Sequence, residues 1–435
     1  MDKNLIPIKL DSTRCVGCND CVKRCPTEAI RVRNRKAWII ADRCIVCGEC
    51  VRVCNHYANE LEVDPFTVLD NYKYTVALVD PVLYSEYSGL RNRNDALTAL
   101  KAIGFSDAFE MAEAAEAISD RTRRALESGE LEAPVISSSC PVVRKLILAR
   151  FPSLLNNLLP YHSPMELGAR VARQRAVKKT RLKPEEVGII YLSPCPARAA
   201  EAKDPLSTDH SEVDAVISIA ELYTKLRNAI RKVTEPEILA TATSVGVGWG
   251  ITGGEAAAIG TDNYLISDGM ENIISVLEAI EDEKLKGIAF YELSACTGGC
   301  VGGAMTAENS YIARARLNRV MKHQTPLAEP EVKIEDELIP WDHRIFYEPS
   351  IKLSGDIAQA MAKLKKVQEQ ETRLPGMNCG ACGAPTCHAL AEDIAEGKAN
   401  EDQCIFLLRE KMQRLLNSHK ISLDIGKEAE DDDRT

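Results

Sequence analysis

Aromatic residues make up only 5% of this 435-residue chain, and no apolar run approaches the roughly 20 residues that a membrane-crossing helix requires. A membrane span is therefore not expected. The opening residues Met1-Asp2-Lys3-Asn4 lack the charged-then-apolar pattern of a secretory leader, so the expected location is the cytoplasm. A basic excess is missing as well. The 54 Lys and Arg stand against 64 Asp and Glu, a formal charge of −10, which argues against a dedicated nucleic-acid binder. No phosphate-cradling glycine loop stands out. Gly246-Val247-Gly248-Trp249-Gly250 lacks the G-x-G-x-x-G spacing, so a flavin or nicotinamide would belong to a partner.

Cysteine, by contrast, is abundant and ordered. The 16 cysteines fall into four groups of four with no remainder. Cys15, Cys18, Cys21 and Cys25 form the first, Cys44, Cys47, Cys50 and Cys54 the second. Cys140, Cys195, Cys296 and Cys300 form the third, Cys379, Cys382, Cys387 and Cys404 the fourth. A disulfide framework suits short secreted domains. This chain is long, and its CxxC pairs are too close for relaxed staples, so the arithmetic points to metal binding.

Composition divides the chain into five stretches. Residues 1–62 are a small cysteine-dense module, and its first 60 residues carry 11 Lys and Arg against 7 Asp and Glu. Residues 70–350 alternate strand-like and helix-like segments. Strands are expected at Thr75–Val79, Val135-Ile136, Val187–Leu192 and Gly287–Tyr291. Helices are expected at Asp95–Ile103, Ala108–Ile118, Ile219–Val233 and Asn272–Glu281. The alternation predicts an α/β domain. Residues 351–373 read as a polar connecting helix with Ile357, Met361, Leu364 and Val367 on one stripe. Residues 374–420 form a second small, mostly helical cysteine module, and 421–435 an acidic, solvated tail.

The first two cysteine groups have the spacing C-x2-C-x2-C-x3-C, followed by Pro26 after the first group and Asn55 after the second. That run is the signature of bacterial two-cluster ferredoxins, in which the fourth cysteine serves the other cluster. One [4Fe–4S] cluster is expected on Cys15, Cys18, Cys21 and Cys54, the other on Cys44, Cys47, Cys50 and Cys25. Zinc also accepts soft thiolates but favours separated CxxC pairs. Gly17 and Gly48 are expected where backbone passes close to sulfide. The module resembles bacterial ferredoxins over residues 8–60, with an α+β fold implied.

Cys140, Cys195 and Cys296 each follow a short apolar strand by a few residues. Loops beyond strand ends converge in α/β sheets, so a common four-thiolate site with Cys300 is expected. Buried structural cysteines are the competing reading. They do not account for the small-residue loops Ser137-Ser138-Ser139-Cys140-Pro141, Ser193-Pro194-Cys195-Pro196 and Cys296-Thr297-Gly298-Gly299-Cys300-Val301-Gly302-Gly303. The glycine density near Cys300 suggests that something bulky meets backbone there.

These loops resemble, in order, the three active-site motifs of the iron–iron hydrogenases. Ser138-Ser139-Cys140-Pro141 is similar to Ser-Cys-Cys-Pro. Pro194-Cys195-Pro196-Ala197-Arg198, followed by Glu201, is similar to Pro-Cys-x-x-Lys with its glutamate. The stretch from Glu292 to Gly303 is similar to Glu-x-Met-x-Cys-x-x-Gly-Cys-x-x-Gly. Gly104-Phe105, His162-Ser163-Pro164 and Thr252-Gly253-Gly254 are further landmarks. The resemblance covers roughly residues 8–320. It implies a hydrogenase-like catalytic domain and a six-iron centre, with a [4Fe–4S] cubane on Cys140, Cys195, Cys296 and Cys300. Cys300 would bridge to a two-iron subcluster with carbonyl and cyanide ligands.

Several family positions are changed. Ser139 stands where a thiol relays protons, Arg198 where a lysine bonds cyanide, Ser294 where a methionine sits, and Val143 at a tryptophan position. Acids further along the proton path, near Ile118–Ala125, are not evident. With Glu201, the residues Ser139, Arg198 and Ser294 are the candidate catalytic set. Retained cubane ligands with rewritten surroundings resemble the sensory branch of the family.

Cys379-x2-Cys382-x4-Cys387-x16-Cys404 resembles the small four-iron cluster domain of redox-complex subunits, with zinc as the alternative. Three conventional [4Fe–4S] clusters plus the hydrogenase-type centre are thus expected. Two functions follow. One is slow hydrogen oxidation, proton reduction or hydrogen sensing, with electrons passed to a redox partner. The other is a non-catalytic iron–sulfur relay or scaffold in a larger, electron-bifurcating hydrogenase complex, lacking the two-iron unit. The expected partners are hydrogen and protons, a ferredoxin or hydrogenase-complex subunits, in a hetero-oligomer.

Overall fold

The structure, a computed structural model, describes residues 6–329, 333–347 and 357–418. The tail expected at 421–435 and the first residues of the expected connector lie outside the described residues. The strands are β1 (Ile8–Leu10), β2 (Ile30–Arg33), β3 (Lys36–Ile39), β4 (Asn59–Leu61), β5 (Tyr74–Val79), β6 (Asp107–Glu110), β7 (Val135–Ile136), β8 (Val187–Ser193), β9 (Ala215–Ser218), β10 (Tyr264–Asp268) and β11 (Phe290–Ser294). Two compact units form. One comprises the described parts of 1–11 and 41–350, the other those of 12–40 and 351–435.

In the larger unit, β1 and β4 pair antiparallel. Strands β6-β5-β8-β9 make a four-stranded sheet and β10-β11-β7 a three-stranded one, both parallel. Helices connect the strands, which is the expected α/β organisation. Every residue of β8 is buried, as a parallel strand covered on both faces must be. Side chains alternate across such a strand. Ala77, Val79, Ile190 and Leu192 enter one core, while Val76, Leu78, Ile189 and Tyr191 enter another.

Some expected boundaries move. Ala108-Phe109-Glu110 belongs to β6 rather than to a helix, because Val76 to Val79 of β5 offers it a parallel ladder. The helix starts three residues later than expected and runs Met111–Ser128. Phe290–Ser294 forms the strand expected at Gly287–Tyr291, and β9 and β10 were not anticipated. The other helices appear as Arg93–Ala102, Ile219–Ile230 and Met270–Glu281.

In the second unit, β2 and β3 form a hairpin whose Asn34 and Arg35 have φ of 50° and 61°. Two left-handed residues make the tight turn that matches strand twist. The connector helix Ile357–Arg373 is present, and on its expected stripe Val367 is buried while Met361 and Leu364 are exposed.

Phe290 is fully buried in the core that joins β11 to its neighbours. Phe290→Ala is expected to destabilise the larger unit by about 3–5 kcal/mol. Denaturant unfolding measures this, and an unshifted midpoint would refute the packing described.

Candidate metal centre

Three strand ends deliver the third cysteine group. Cys140 lies just beyond β7, Cys195 beyond β8, and Cys296 and Cys300 beyond β11. Cys140 and Cys195 also precede helices, Pro141–Arg150 and Pro196–Lys203, each with proline in its first turn. The strands belong to two sheets, so the convergence is between sheets rather than along one. The four thiols are near enough for their charges to interact. Burial, then Cys296 and Cys140, pushes the Cys195 thiol up to about 12. Burial also raises Cys300, with Asp80, Cys140 and Cys296 adding to it.

The glycines around Cys300 meet the chain's own backbone, which corrects the expectation of a bulky neighbour. A Cβ on Gly299 would stand 2.5 Å from Thr252 N, one on Gly302 2.3 Å from Thr297 O, and one on Gly303 2.1 Å from Pro194 O. Met305 N–H donates to the same Pro194 carbonyl at 2.9 Å. Asp268, at the end of β10, accepts from Gly298 N at 3.0 Å and from Thr252 Oγ1 at 2.9 Å. Thr252 of the Thr-Gly-Gly landmark is thereby tied to the third loop.

Charged groups surround the thiols. Arg198, 6% exposed, donates through Nη2 to the Ser139 carbonyl at 2.6 Å and pairs with Glu201 at 3.4 Å. Burial works against the Arg198 charge, but Tyr191 and the thiols of Cys300, Cys195 and Cys140 outweigh it. Glu201 also pairs with the fully buried Arg144. Burial and the neighbouring Arg198 lower the Arg144 pKa to about 9, against the pull of Cys140. Asp80 accepts from the Tyr191 hydroxyl at 2.6 Å and from Val82 N at 2.9 Å. Ser294 lies at the end of β11, opposite Asp268, and its carbonyl accepts from Gly269 N–H.

Ser139 has an acidic partner that motif spacing did not single out. Glu255 Oε2 accepts from Ser137 Oγ at 2.6 Å and from Ser139 Oγ at 3.2 Å. Glu255 directly follows Thr252-Gly253-Gly254, and an acid in that landmark was the available signal. Its neighbour Glu292 accepts backbone N–H bonds from Gly253 at 2.6 Å and Ala256 at 2.8 Å. Two buried carboxylates this close cannot both ionise freely. Glu292 has the backbone donors that favour its charge. Glu255, raised by burial and then by Glu292, is the one that keeps a proton. Its Oε1 has no hydrogen-bond partner among protein atoms. On helix Met111–Ser128, where family acids were not evident, the buried Ser119 and Thr122 hydroxyls bond back to Ala115 and Ile118 carbonyls.

The second ferredoxin-like loop reaches this centre within the same unit. Arg52, two residues after Cys50, donates to the Gly302 carbonyl and pairs with Glu49. Burial would lower its pKa, but Cys296 and Glu49 more than offset that. A Cβ on Gly48 would lie 2.7 Å from Ala304 Cβ and 3.2 Å from Pro196 Cγ. Gly48 is therefore small because of that packing. Cys44, Cys47, Cys50 and Cys54 lie in this unit, and Cys15, Cys18, Cys21 and Cys25 in the other.

In the second unit, Gly17 lies against the Arg35 backbone, 2.8 Å from its carbonyl carbon if a Cβ were added. Ala37 N–H of β3 points at Cys15 Sγ, 3.4 Å away. Cys382 feels the charges of Cys379 and Cys404, with burial the main cause of its raised pKa. Cys387 opens the helix Cys387–Ala395, and its N–H donates to Asn378 Oδ1 at 2.7 Å.

Among the described residues, no three His, Cys, Asp or Glu side chains converge as the ligands of a single ion do. A four-iron cubane gives each thiolate its own corner, and soft thiolates are its natural donors. Arg144 adds a second mark of fit. Its Nε and Nη1 have no hydrogen-bond partner although the side chain is fully buried close to Cys140. A buried cation with spare N–H groups suits an anionic, thiolate-ligated group.

The Glu255 assignment has a signed consequence. A carboxyl whose folded pKa is raised contributes stability below its unfolded value and loses it as pH rises through the folded value. Glu255→Gln is expected to flatten the decline in stability between about pH 5 and pH 9. Denaturation midpoints across that range check it, and parallel pH profiles for the two proteins would refute it.

The family model described as "Iron only hydrogenase large subunit, C-terminal domain" matches residues 85–304. A 4Fe–4S dicluster domain matches residues 7–55, and an Fe–S cluster domain residues 374–406. The periplasmic [Fe] hydrogenase large subunit of Nitratidesulfovibrio vulgaris is 24% identical over 244 residues, 51% of this chain and 58% of that protein. Iron hydrogenase 1 of Clostridium pasteurianum is 22% identical over 376 residues, 70% of this chain and 65% of that protein. The chain thus spans less than two thirds of the length of these curated relatives. A variant of [FeFe]-hydrogenase HydA1 from Chlamydomonas reinhardtii aligns with a TM-score of 0.48 and 15% identity, over 63% of this chain and 94% of that one. The hydrogenase match covers half of the chain and contains all four convergent cysteines, and the chain belongs to the iron-only hydrogenase large-subunit family.

Proposed function

We propose that this iron–sulfur redox protein reacts slowly with hydrogen, as a weak hydrogenase or a hydrogen sensor, and exchanges electrons with a redox protein. The observation that carries this is the group of four mutually interacting thiols next to Ser139, whose hydroxyl is hydrogen-bonded to Glu255. Cys140, Cys195, Cys296 and Cys300 would hold the cubane, with Cys300 also joining the two-iron unit. Cys15, Cys18, Cys21 and Cys54 would hold a second cluster, Cys44, Cys47, Cys50 and Cys25 a third, and Cys379, Cys382, Cys387 and Cys404 a fourth. When bound, the two-iron unit supplies the splitting and formation of hydrogen.

The chain's own residues then set the rate. Glu255 holds a proton, and Ser139 Oγ stands within hydrogen-bond reach of it. A serine hydroxyl does not titrate near neutral pH, whereas a cysteine thiol does near 8.5. Proton transfer through Ser139 is therefore slower than through a thiol. Arg198 keeps positive charge at the site, and Asp80 with Tyr191 closes the wall near Cys300. Arg52, bonded to the Gly302 carbonyl, holds the second cysteine loop against the third active-site loop. The basic N-terminal module suits an acidic redox partner in a hetero-oligomer.

A specific observation also supports the scaffold reading. Arg198 is engaged by the Ser139 carbonyl and by Glu201, leaving it less free to bond a cyanide than an unengaged lysine. Infrared spectroscopy separates the two. Metal-bound carbonyl and cyanide bands in matured protein are expected, and their absence after competent maturation would favour the scaffold. Iron analysis is expected to give about 16 irons per chain before any two-iron unit, four per thiolate set.

Ser139→Cys is expected to raise hydrogen turnover, with the roughly 10²–10⁴ of a positioned acid–base group as ceiling. The comparison is hydrogen oxidation and evolution at equal cofactor occupancy. Equal rates in the two proteins would show that Ser139 does not limit proton delivery.

A further inference from the structure

The compact unit formed by residues 12–40 and 351–418 joins the first ferredoxin-like cysteine loop to the C-terminal cysteine module. Its seam is built around one carboxylate. Asp393 Oδ2 accepts from Arg31 Nε at 2.8 Å and from Arg33 Nη2 at 2.8 Å. Arg31 is fully buried, and it also donates to the Glu28 carbonyl at 2.7 Å. A buried guanidinium is stable only while paired, so this contact holds the C-terminal module on the β2–β3 hairpin.

The backbone contacts beside it form a continuous path. Val32 N–H donates to the Gly383 carbonyl at 2.7 Å, and Arg33 Nη1 donates to the Cys382 carbonyl at 2.8 Å. Val32 faces Ala37 across the hairpin, and Ala37 N–H approaches Cys15 Sγ at 3.4 Å. A ligand loop of the C-terminal set is thus linked to a thiol of the first set through hydrogen bonds and one ladder pair. Gly383 permits the approach. It has φ +80°, and a Cβ there would lie 2.0 Å from Val32 O. Lys23, between Cys21 and Cys25, closes the other side by donating to the Asn378 carbonyl.

We propose that the C-terminal module, whose Cys379 is exposed, is the port through which electrons enter or leave the chain, and that the seam of Arg31, Arg33, Asp393 and Gly383 couples it to the Cys15 loop. Cys379, Cys382, Cys387 and Cys404 would hold one cluster and the Cys15 loop would contribute thiolates to another, and the bound clusters would pass a single electron between them in either direction. No proton moves, and an external one-electron redox protein supplies or accepts the electron. Arg31, Arg33 and Asp393 are positioning residues. The inference rests on the reading that both cysteine sets hold clusters.

The test uses the full chain, anaerobically reconstituted and reduced with dithionite, with electron paramagnetic resonance reporting magnetic interaction between clusters. Silencing the C-terminal cluster with Cys382→Ser is expected to remove an interaction seen in the wild type. Asp393→Asn and, independently, Gly383→Ala are expected to remove the same interaction while iron content and total spin stay at wild-type level. Full iron without interaction in the wild type, or interaction that survives both seam variants, overturns the inference alone. A shortfall of about four irons in the wild type, traced to the C-terminal set, overturns the cluster reading and the inference together.

Discussion

The carbonyl of Pro194 fixes the centre of the larger unit. It accepts Met305 N–H, and Gly303 lies so close that no side chain fits between them. This contact locks the loop after β11 to the loop after β8, and so sets Cys296 and Cys300 relative to Cys195. The Arg198 bond to the Ser139 carbonyl does the same between the second and first loops. Two small parallel sheets, each too narrow to enclose a site, are joined at their strand ends by these bonds. Thiols can then remain in a buried place where isolated thiolates would be costly, provided an electron-deficient metal group shares their charge.

Charge around the thiols follows from that burial. Arg144, Arg198 and Glu201 form a chain with one uncancelled positive charge, and Arg52, paired with Glu49, approaches from the second cysteine loop. On the far side of Ser139, Glu255 and Glu292 form a carboxyl pair whose backbone donors are unequally shared. Cationic groups favour the charged form of thiolate ligands, while the neutral carboxyl keeps a proton available without adding negative charge. The site therefore separates its charge-compensating side from its proton-holding side, with Ser139 contacting both through its carbonyl and its hydroxyl.

How much of this was legible in the sequence depended on the range of the interaction. Cysteine spacing and the small-residue loops were local signals, and Cys140, Cys195, Cys296 and Cys300 each lie beyond a strand end, near enough for their charges to interact. Strands β9 and β10 were missed because four or five residues carry little periodicity of their own and owe their extended form to their neighbours in the sheets. Ala108 to Glu110 looked helical because it adjoins a long helix, and only pairing with β5 makes it a strand. Glu255 stood beside the Thr252-Gly253-Gly254 landmark, but its role was hidden for a similar reason. Its partners Ser137 and Ser139 are more than a hundred residues away, and no spacing rule relates them. The glycines near Cys300 were noticed but misread, since the bulky neighbour is backbone from other loops.

The cysteine groups also differ in what their surroundings permit. Cys140, Cys195, Cys296 and Cys300 are partly exposed, and Gly299, Gly302 and Gly303 beside the last two are packed against backbone of other loops. The C-terminal set sits in a small core of Val367, Leu374, Ala384, Ala389, Leu390, Ala391 and Cys404, with Cys379 exposed. A cluster with an exposed ligand exchanges electrons readily with an outside protein, whereas a buried one depends on relays through the chain. Ser139, hydrogen-bonded to Glu255, does not titrate near neutral pH as a thiol would, so it can pass a hydrogen bond along without ionising itself.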